Sequence, residues 1–266
     1  MSNRQGDFIW YELLTADADA AADFYGKVIG WSSSSAGQPD MDYRFFSSRP
    51  GGDPADGVGG YMALTAEMVE HGARPIWLGY IAVDDVDVAV QQISAAGGAV
   101  QMPPMDIDGV GRMAMVADPQ GAPFYIMRGA SDETSHSFAA TEPKLGHCAW
   151  NELASDDPAE AKAFYGALFG WEQVGDLDMG PTGKYEFLWV SDKRFMLGAV
   201  MPKPPELPQP GWTYYFRVPD IDRAAGAIAQ SGGSLLVEPV EIPGGDYSLT
   251  AIDPHGAIFG LVGARP

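Results

Sequence analysis

The chain is poor in the residues on which several large protein classes depend. It holds a single cysteine, Cys148, in 266 residues. An intrachain disulfide framework and every cysteine-rich zinc site are thereby excluded. Basic residues are scarce: 16 Lys and Arg stand against 36 Asp and Glu, a formal charge of −20. Nucleic-acid binding draws its affinity from phosphate neutralisation by Lys and Arg, so no nucleic-acid partner is expected. An anionic membrane surface is disfavoured on the same ground. The acidic balance reads instead as a surface that keeps the chain soluble. No apolar run approaches the length that spans a bilayer, and the N-terminal MSNRQGDFIW lacks the basic-then-apolar order of a signal peptide. The expectation is a cytoplasmic protein with no membrane partner. A phosphate-binding loop is missing too. Gly59-Gly60 and Gly244-Gly245 lack the third spaced glycine that a dinucleotide fingerprint needs.

What the sequence does contain, it contains twice. Trp10-Tyr11-Glu12-Leu13 recurs as Trp150-Asn151-Glu152-Leu153, Phe24-Tyr25-Gly26 as Phe164-Tyr165-Gly166, and Gly30-Trp31 as Gly170-Trp171, all at an offset of 140. Further on, Val83-Asp84-Asp85-Val86-Asp87 parallels Val218-Pro219-Asp220-Ile221-Asp222. Gly97-Gly98 parallels Gly232-Gly233, and Asp118-Pro119-Gln120-Gly121-Ala122 parallels Asp253-Pro254-His255-Gly256-Ala257. These later blocks share an offset of 135, so the first copy carries five extra residues in its middle. The loop 49–57, RPGGDPADG, is one place for them. Between the copies, residues 129–146 are polar and read as a linker.

Each copy reads as strand, helix, strands, and then the same again. The apolar and aromatic stretch 8–14 predicts a strand. Ala21, Phe24, Tyr25 and Val28 fall at helical spacing. In the second copy, Asp157-Pro158 marks a helix start, with Glu160 placed to complete a capping box. Gly30 and Gly170 follow the last turn, where a left-handed cap suits glycine. Strands are expected at 43–47, 58–64, 76–83, 99–102, 112–117 and 123–127, with a helix at 86–96. In copy two, 212–218 reads as a strand and 221–230 as a helix. The Asp-Pro-x-Gly blocks are turns. Each copy is thus α+β with two βαβββ modules, and a curved sheet with helices on one side would enclose a cleft.

The Phe-Tyr-x-x-x-x-Gly-Trp helix end, the Val-x-Asp-[Val/Ile]-Asp turn and the terminal Asp-Pro-x-Gly turn, in order and twice, resemble the vicinal oxygen chelate superfamily. That superfamily includes glyoxalase I, bleomycin- and fosfomycin-resistance proteins and extradiol dioxygenases. The resemblance implies two tandem glyoxalase-like domains, 6–128 and 147–264, joined by 129–146. Each would be built of paired βαβββ modules forming a curved, cup-shaped mixed sheet. It also implies a divalent metal held by His, Gln or Glu from the first strand, the strand before the second helix and the last strand. Carried over, those positions are Trp10 and Trp150, Leu78 and Thr213, and Tyr125 and Gly260. None is a usual ligand for a hard cation. No cofactor is therefore expected, a divalent Zn, Ni, Mn or Fe being the alternative.

Strand alternation puts Glu12 on the face of Trp10, and Glu152 on that of Trp150. A lone buried carboxylate is costly, so each glutamate is a candidate general base or ligand anchor, or else is held by backbone or a neighbouring Arg. The candidate ligand-binding set is Trp10, Tyr80, Arg112 and Tyr125 in copy one, and Trp150, Tyr215 and Tyr247 in copy two. Arg112 is read either as an anchor for an anionic or carbonyl group, or as a surface residue or the partner of Glu12. Trp77 is expected on the helix side. The four histidines are scattered and read as solvated or locally bonded, and Cys148 as a small buried hydrophobe. The expected function is a small-molecule-binding protein that takes a small aromatic or hydrophobic ligand in an aromatic-lined cup, with the principal site in copy one. The alternatives are a metal-dependent lyase, isomerase or dioxygenase, and a metal-free enzyme using Glu12 or Glu152 as base. Monomer and homodimer are both open.

Overall fold

The computed structural model describes residues 3–38, 41–49, 56–205 and 207–266. Most of the 49–57 loop, residues 50–55, lies outside them. Copy one runs β1 (Phe8–Thr15), α1 (Ala18–Val28), β2 (Ser32–Ser35), β3 (Arg44–Ser47), β4 (Gly57–Ala63), α2 (Ala66–Glu70), β5 (Ile76–Ala82), α3 (Val86–Ala95), β6 (Ala99–Ile107), β7 (Gly111–Ala117) and β8 (Pro123–Gly129). Copy two runs β9 (Cys148–Ser155), α4 (Pro158–Phe169), β10 (Glu172–Asp178), β11 (Lys184–Trp189), β12 (Met196–Pro202), β13 (Gly211–Val218), α5 (Ile221–Gln230), β14 (Ser234–Glu241), β15 (Tyr247–Ile252) and β16 (Ile258–Gly263). The strands form two open eight-stranded mixed sheets, ordered β2-β3-β4-β1-β5-β8-β7-β6 and β10-β11-β12-β9-β13-β16-β15-β14. Two βαβββ modules per copy are therefore present. Among the described residues no helix is long and apolar enough to cross a membrane.

Local chemistry sets the helix ends. Asp17, Asp85, Asp157 and Asp220 each cap a helix, the carboxylate accepting from a first-turn N–H. Gly170 closes α4 at φ 69° and Gly30 follows α1 at φ 92°, a region glycine enters without steric cost. The expected capping box at α4 is not closed by Glu160. The Asp157 N–H donates instead to Gln120 Oε1 at 3.1 Å, and Gln120 Nε2 donates to Glu160 Oε2 at 3.0 Å. The side chain that completes this helix start thus comes from the Asp-Pro-Gln-Gly turn of the other copy.

Two of the elements that go beyond the sequence expectation have a plain physical reason. The four-serine strand β2 has no apolar residue to announce it, and it pairs with β3 through its backbone, with the Ser32 hydroxyl also donating to the Ser47 carbonyl at 3.5 Å. Strand β6 runs on past Met102 through Pro103 and Pro104. It is the edge strand, where a missing N–H leaves no partner short, and its register shifts between Met102 and Met105.

Compactness divides the chain differently from sequence. One unit comprises Met1–Ile9, Gly79–Ser135 and Trp150–Thr213; the other comprises Trp10–Leu78, His136–Ala149 and Tyr214–Pro266. Each unit therefore draws on both copies. In the first, buried Tyr165 of α4 donates to Asp118 Oδ2 at 3.2 Å, and Trp171 Nε1 donates to the Gly6 carbonyl at 2.9 Å. In the second, Tyr25 donates to Asp253 Oδ2 at 3.1 Å, and Trp31 Nε1 donates to the Gly146 carbonyl at 2.8 Å. Gly6 and Gly146 have positive φ, and a Cβ on either would stand about 3 Å from the opposing indole nitrogen. Trp77 and Trp212 lie on the helix side, as alternation requires, donating to Tyr25 Oη at 2.8 Å and Tyr165 Oη at 3.1 Å. The segment 129–146 is not wholly a polar spacer, since Ser137 and Phe138 are buried and Phe138 bridges to Cys148.

Candidate functional site

The first strand of each copy places its Trp and Glu as alternation dictates. Tyr11 and Asn151 point into the cores and are fully buried. Trp10, Glu12, Trp150 and Glu152 take the opposite face, away from the helices. In copy two the indole of Trp150 donates to Tyr185 Oη at 2.7 Å, and Tyr185 donates to Glu152 Oε2 at 2.7 Å. Phe187 stands edge-on to Trp150, with ring centroids 6.2 Å apart. The arrangement is a proton-donor chain, indole to phenol to carboxylate, built across β9 and β11. The phenol donates to it, so Glu152 Oε2 acts as an acceptor.

Copy one repeats much of this. Trp10 Nε1 donates to Tyr43 Oη at 3.0 Å, and Phe45 is edge-on to Trp10 at 6.0 Å. Glu12 is buried and stands in register with Gly60. Gly60 has a reason to be glycine, because a Cβ there would fall 2.0 Å from Tyr43 Oη. Tyr43, Phe45, Tyr185 and Phe187 are absent from the expected site set. Their signal was available: Tyr-x-Phe recurs at 43–45 and 185–187, at an offset of 142.

Tyr80 and Tyr125 are register partners on β5 and β8, stacked at 4.3 Å with an 18° interplanar angle. The equivalent partners in copy two are Tyr215 and Gly260. There the Tyr215 ring covers the glycine, and its hydroxyl lies 3.0 Å from Thr250 Oγ1.

Arg112 and Tyr247 are not brought to these faces. Tyr125 is opposite Met115, so on β7 the neighbouring odd positions share its face and Arg112 has the other. The Arg112 guanidinium donates from Nε and Nη2 to Asp87 at the start of α3 and from Nη1 to Asp106. These contacts hold its proton still more firmly than usual. Tyr247 likewise lies on the helix side, under Arg265 at 4.1 Å, and Arg265 pairs with Asp222 of α5. The Asp in the first turn of the second helix thus receives a guanidinium in both copies, from different chain positions.

Burial tunes three groups beneath the sheets. The Asp118 carboxyl is raised by desolvation, against the pull of the Ala122 and Gln120 N–H groups. The Tyr25 phenol is pushed well up by burial and by the Asp253 carboxylate. His147 is held below the usual histidine range, chiefly by burial. Its Nδ1 faces the His136 carbonyl at 2.7 Å and must carry the proton, leaving Nε2 to accept from Ser48 Oγ at 3.2 Å. His255 is bonded at long range rather than locally, its Nδ1 lying 2.9 Å from Thr15 Oγ1.

The metal donors implied by the family resemblance can be tested at each position. An indole N–H gives away a proton and offers no lone pair to a cation, and both indoles are already donating to tyrosine. Leu78 and Gly260 have no side-chain donor, and Thr213 and Tyr125 offer one hydroxyl apiece, with no imidazole or carboxylate among the six. This set does not fit a divalent cation. Among the described residues, no three His, Cys, Asp or Glu side chains converge elsewhere.

Known proteins agree with this geometry at the level of fold. A family model described as Glyoxalase/Bleomycin resistance protein/Dioxygenase superfamily matches residues 8–126 and 144–261. The putative glyoxylase CFP32 of Mycobacterium tuberculosis (strain CDC 1551 / Oshkosh) is 34% identical over 263 residues, covering 99% of this chain and 97% of the relative. The anthracycline biosynthesis protein DnrV of Streptomyces peucetius is 32% identical over 275 residues, covering 96% and 92%. Among solved structures, the Mn(II)-bound glyoxalase from Novosphingobium aromaticivorans superposes with a TM-score of 0.63 at 15% identity, over 99% of this chain and 83% of the other. The 2,2',3-trihydroxybiphenyl 1,2-dioxygenase from Sphingomonas wittichii strain RW1 gives 0.64 at 16%, over 99% and 91%. Both repeats are matched by the family model. The chain therefore belongs to the Glyoxalase/Bleomycin resistance protein/Dioxygenase superfamily.

Proposed function

We propose that this chain is a small-molecule-binding member of the family that works without the family's metal, holding a small aromatic or hydrophobic ligand against its Trp and Tyr side chains. The observation that carries this reading is the Trp150–Tyr185–Glu152 chain, whose tryptophan holds the position that the resemblance assigns to a first-strand metal ligand. Trp and Tyr offer flat apolar area with a polar tip, which suits stacking against a planar ring. Two relatives bear the name anthracycline biosynthesis protein, and a planar fused-ring compound of that kind is a fitting first probe. The reading treats 6–128 and 147–264 as the two glyoxalase-like domains of a cytoplasmic protein. The chain supplies both members of each inter-copy contact, so a monomer is self-sufficient.

Elemental analysis of protein purified without chelator, run beside a tryptophan-fluorescence titration with an anthracycline, tests this reading. Saturable binding without stoichiometric metal is expected, weakened at least fivefold by Trp150→Ala. One firmly bound transition metal per chain would sink it. The short phenol-to-carboxylate bond favours a second reading, with Glu152 as general base. In that case Glu152→Gln abolishes turnover while ligand binding persists, and the same comparison applies to Glu12.

A further inference from the structure

The cation expected at Arg112 has a counterpart that lies on the right face. On β13, Trp212, Tyr214 and Phe216 point into the cores, Tyr214 and Phe216 fully buried. Thr213, Tyr215 and Arg217 therefore share the opposite face. Arg217 stands two residues beyond Tyr215, in register with Val262, while Tyr215 is in register with Gly260. Its side chain is only 18% exposed. The equivalent residue in copy one is Ala82.

The hydrogen bonding of Arg217 is incomplete. Nη1 donates to Asp246 Oδ2 at 2.8 Å, at the hairpin between β14 and β15. Its Nε is buried and has no acceptor among the described residues. Three other arginines of this acidic chain each hold two carboxylates. Arg44 takes Asp42 and Asp19, Arg112 takes Asp87 and Asp106, and Arg194 takes Asp7 and Asp192. Arg217 holds one. The edge formed by Nε and Nη2 is the geometry that grips a carboxylate with two parallel hydrogen bonds. A buried donor without an acceptor is costly, and an arriving oxyanion removes that cost. The net charge of −20 does not forbid it, because charges beyond about 8–10 Å are largely screened at physiological salt.

We propose that the helix-free face of β13, β16 and β15 binds a small aromatic carboxylate, the carboxylate on the Nε edge of Arg217 and the ring beside Tyr215. This rests on the aromatic-ligand reading above and adds the ligand's charge and the copy that recognises it.

Calorimetric titration of the full chain with 1-naphthoate and with its uncharged analogue 1-naphthamide tests the proposal. The acid binds roughly tenfold more tightly than the amide, as a charge-assisted pair requires. Arg217→Gln erases that preference, while Arg112→Gln, on the helix side, leaves it intact. Asp246→Asn removes the competing carboxylate and widens the preference, which keeps the question open to test if Arg217→Gln does not fold. Equal affinity of acid and amide for the unaltered chain overturns the proposal and spares the aromatic-ligand reading. So does a preference that survives Arg217→Gln or is unmoved by Asp246→Asn. Failure of both probes to bind overturns the proposal and the reading beneath it.

Discussion

Copy one and copy two meet the same problem between their fifth and eighth strands and solve it differently. In copy one, two tyrosines stack face to face. In copy two, Gly260 stands in place of Tyr125, and the remaining tyrosine occupies the glycine's space and reaches Thr250, where copy one has Met115. One face is filled by dispersion between rings, the other by a ring lying on backbone with a hydroxyl pair at its edge. Beneath the sheets the contacts between the copies are kept. Tyr25 with Asp253 matches Tyr165 with Asp118, and Trp31 with Gly146 matches Trp171 with Gly6. The duplicated chain kept the contacts by which its copies hold one another and varied what its sheets present.

The largest expected effect comes from making copy one resemble copy two. Tyr125→Gly removes a buried ring and costs about 4 kcal/mol in urea unfolding. A loss under about 1 kcal/mol would mean that Tyr80 settles onto the glycine as Tyr215 does, and the contrast would dissolve. Next come Asp118→Ala and Asp253→Ala, which each strand a buried tyrosine hydroxyl and two turn N–H groups. Each variant loses about 2–3 kcal/mol. Markedly unequal losses would break the reciprocity. The smallest effect concerns position 147, where copy one has Asp7 paired with Arg194. Buried His147 has a depressed pKa, so its contribution is present above the ordinary histidine range and is lost as pH falls through the folded value. Protonation then charges a ring set among His136, Lys144 and Asp56. His147→Asn keeps a donor for the His136 carbonyl and cannot titrate. Its melting temperature falls less between pH 7 and pH 5 than that of the unaltered chain, and parallel curves would remove His147 from the comparison.

The fold was legible because its signals are local. Asp caps, positive-φ glycines and alternating aromatic strands announce themselves within a few residues. The serine strand β2 and the proline-bearing end of β6 did not, since backbone pairing and edge position are properties of the sheet. Site residues were legible only as far as parity was carried. The alternation that correctly turned Trp77 inward, applied two residues beyond Tyr215, picks out Arg217. Arg112 was misplaced because its parity has to be counted from Tyr125 across a register the sequence does not display. The crossing of the copies was illegible for a stronger reason. A Tyr–Asp contact spanning 228 residues leaves the same mark in sequence as one within a single repeat.

That crossing changes what the connection between the copies has to do. Each half of the chain brings the aromatic plug for the other half and the socket for the other's plug. The exposed part of the stretch after β8, ahead of its buried Ser137 and Phe138, therefore need not set angles or distances. It sets a local concentration, keeping two mutually dependent halves near one another at a level that free fragments would reach only in concentrated solution. A cut in its exposed part, around Asp132 and Glu133, would turn a unimolecular assembly into a bimolecular one, with stability that rises and falls with dilution.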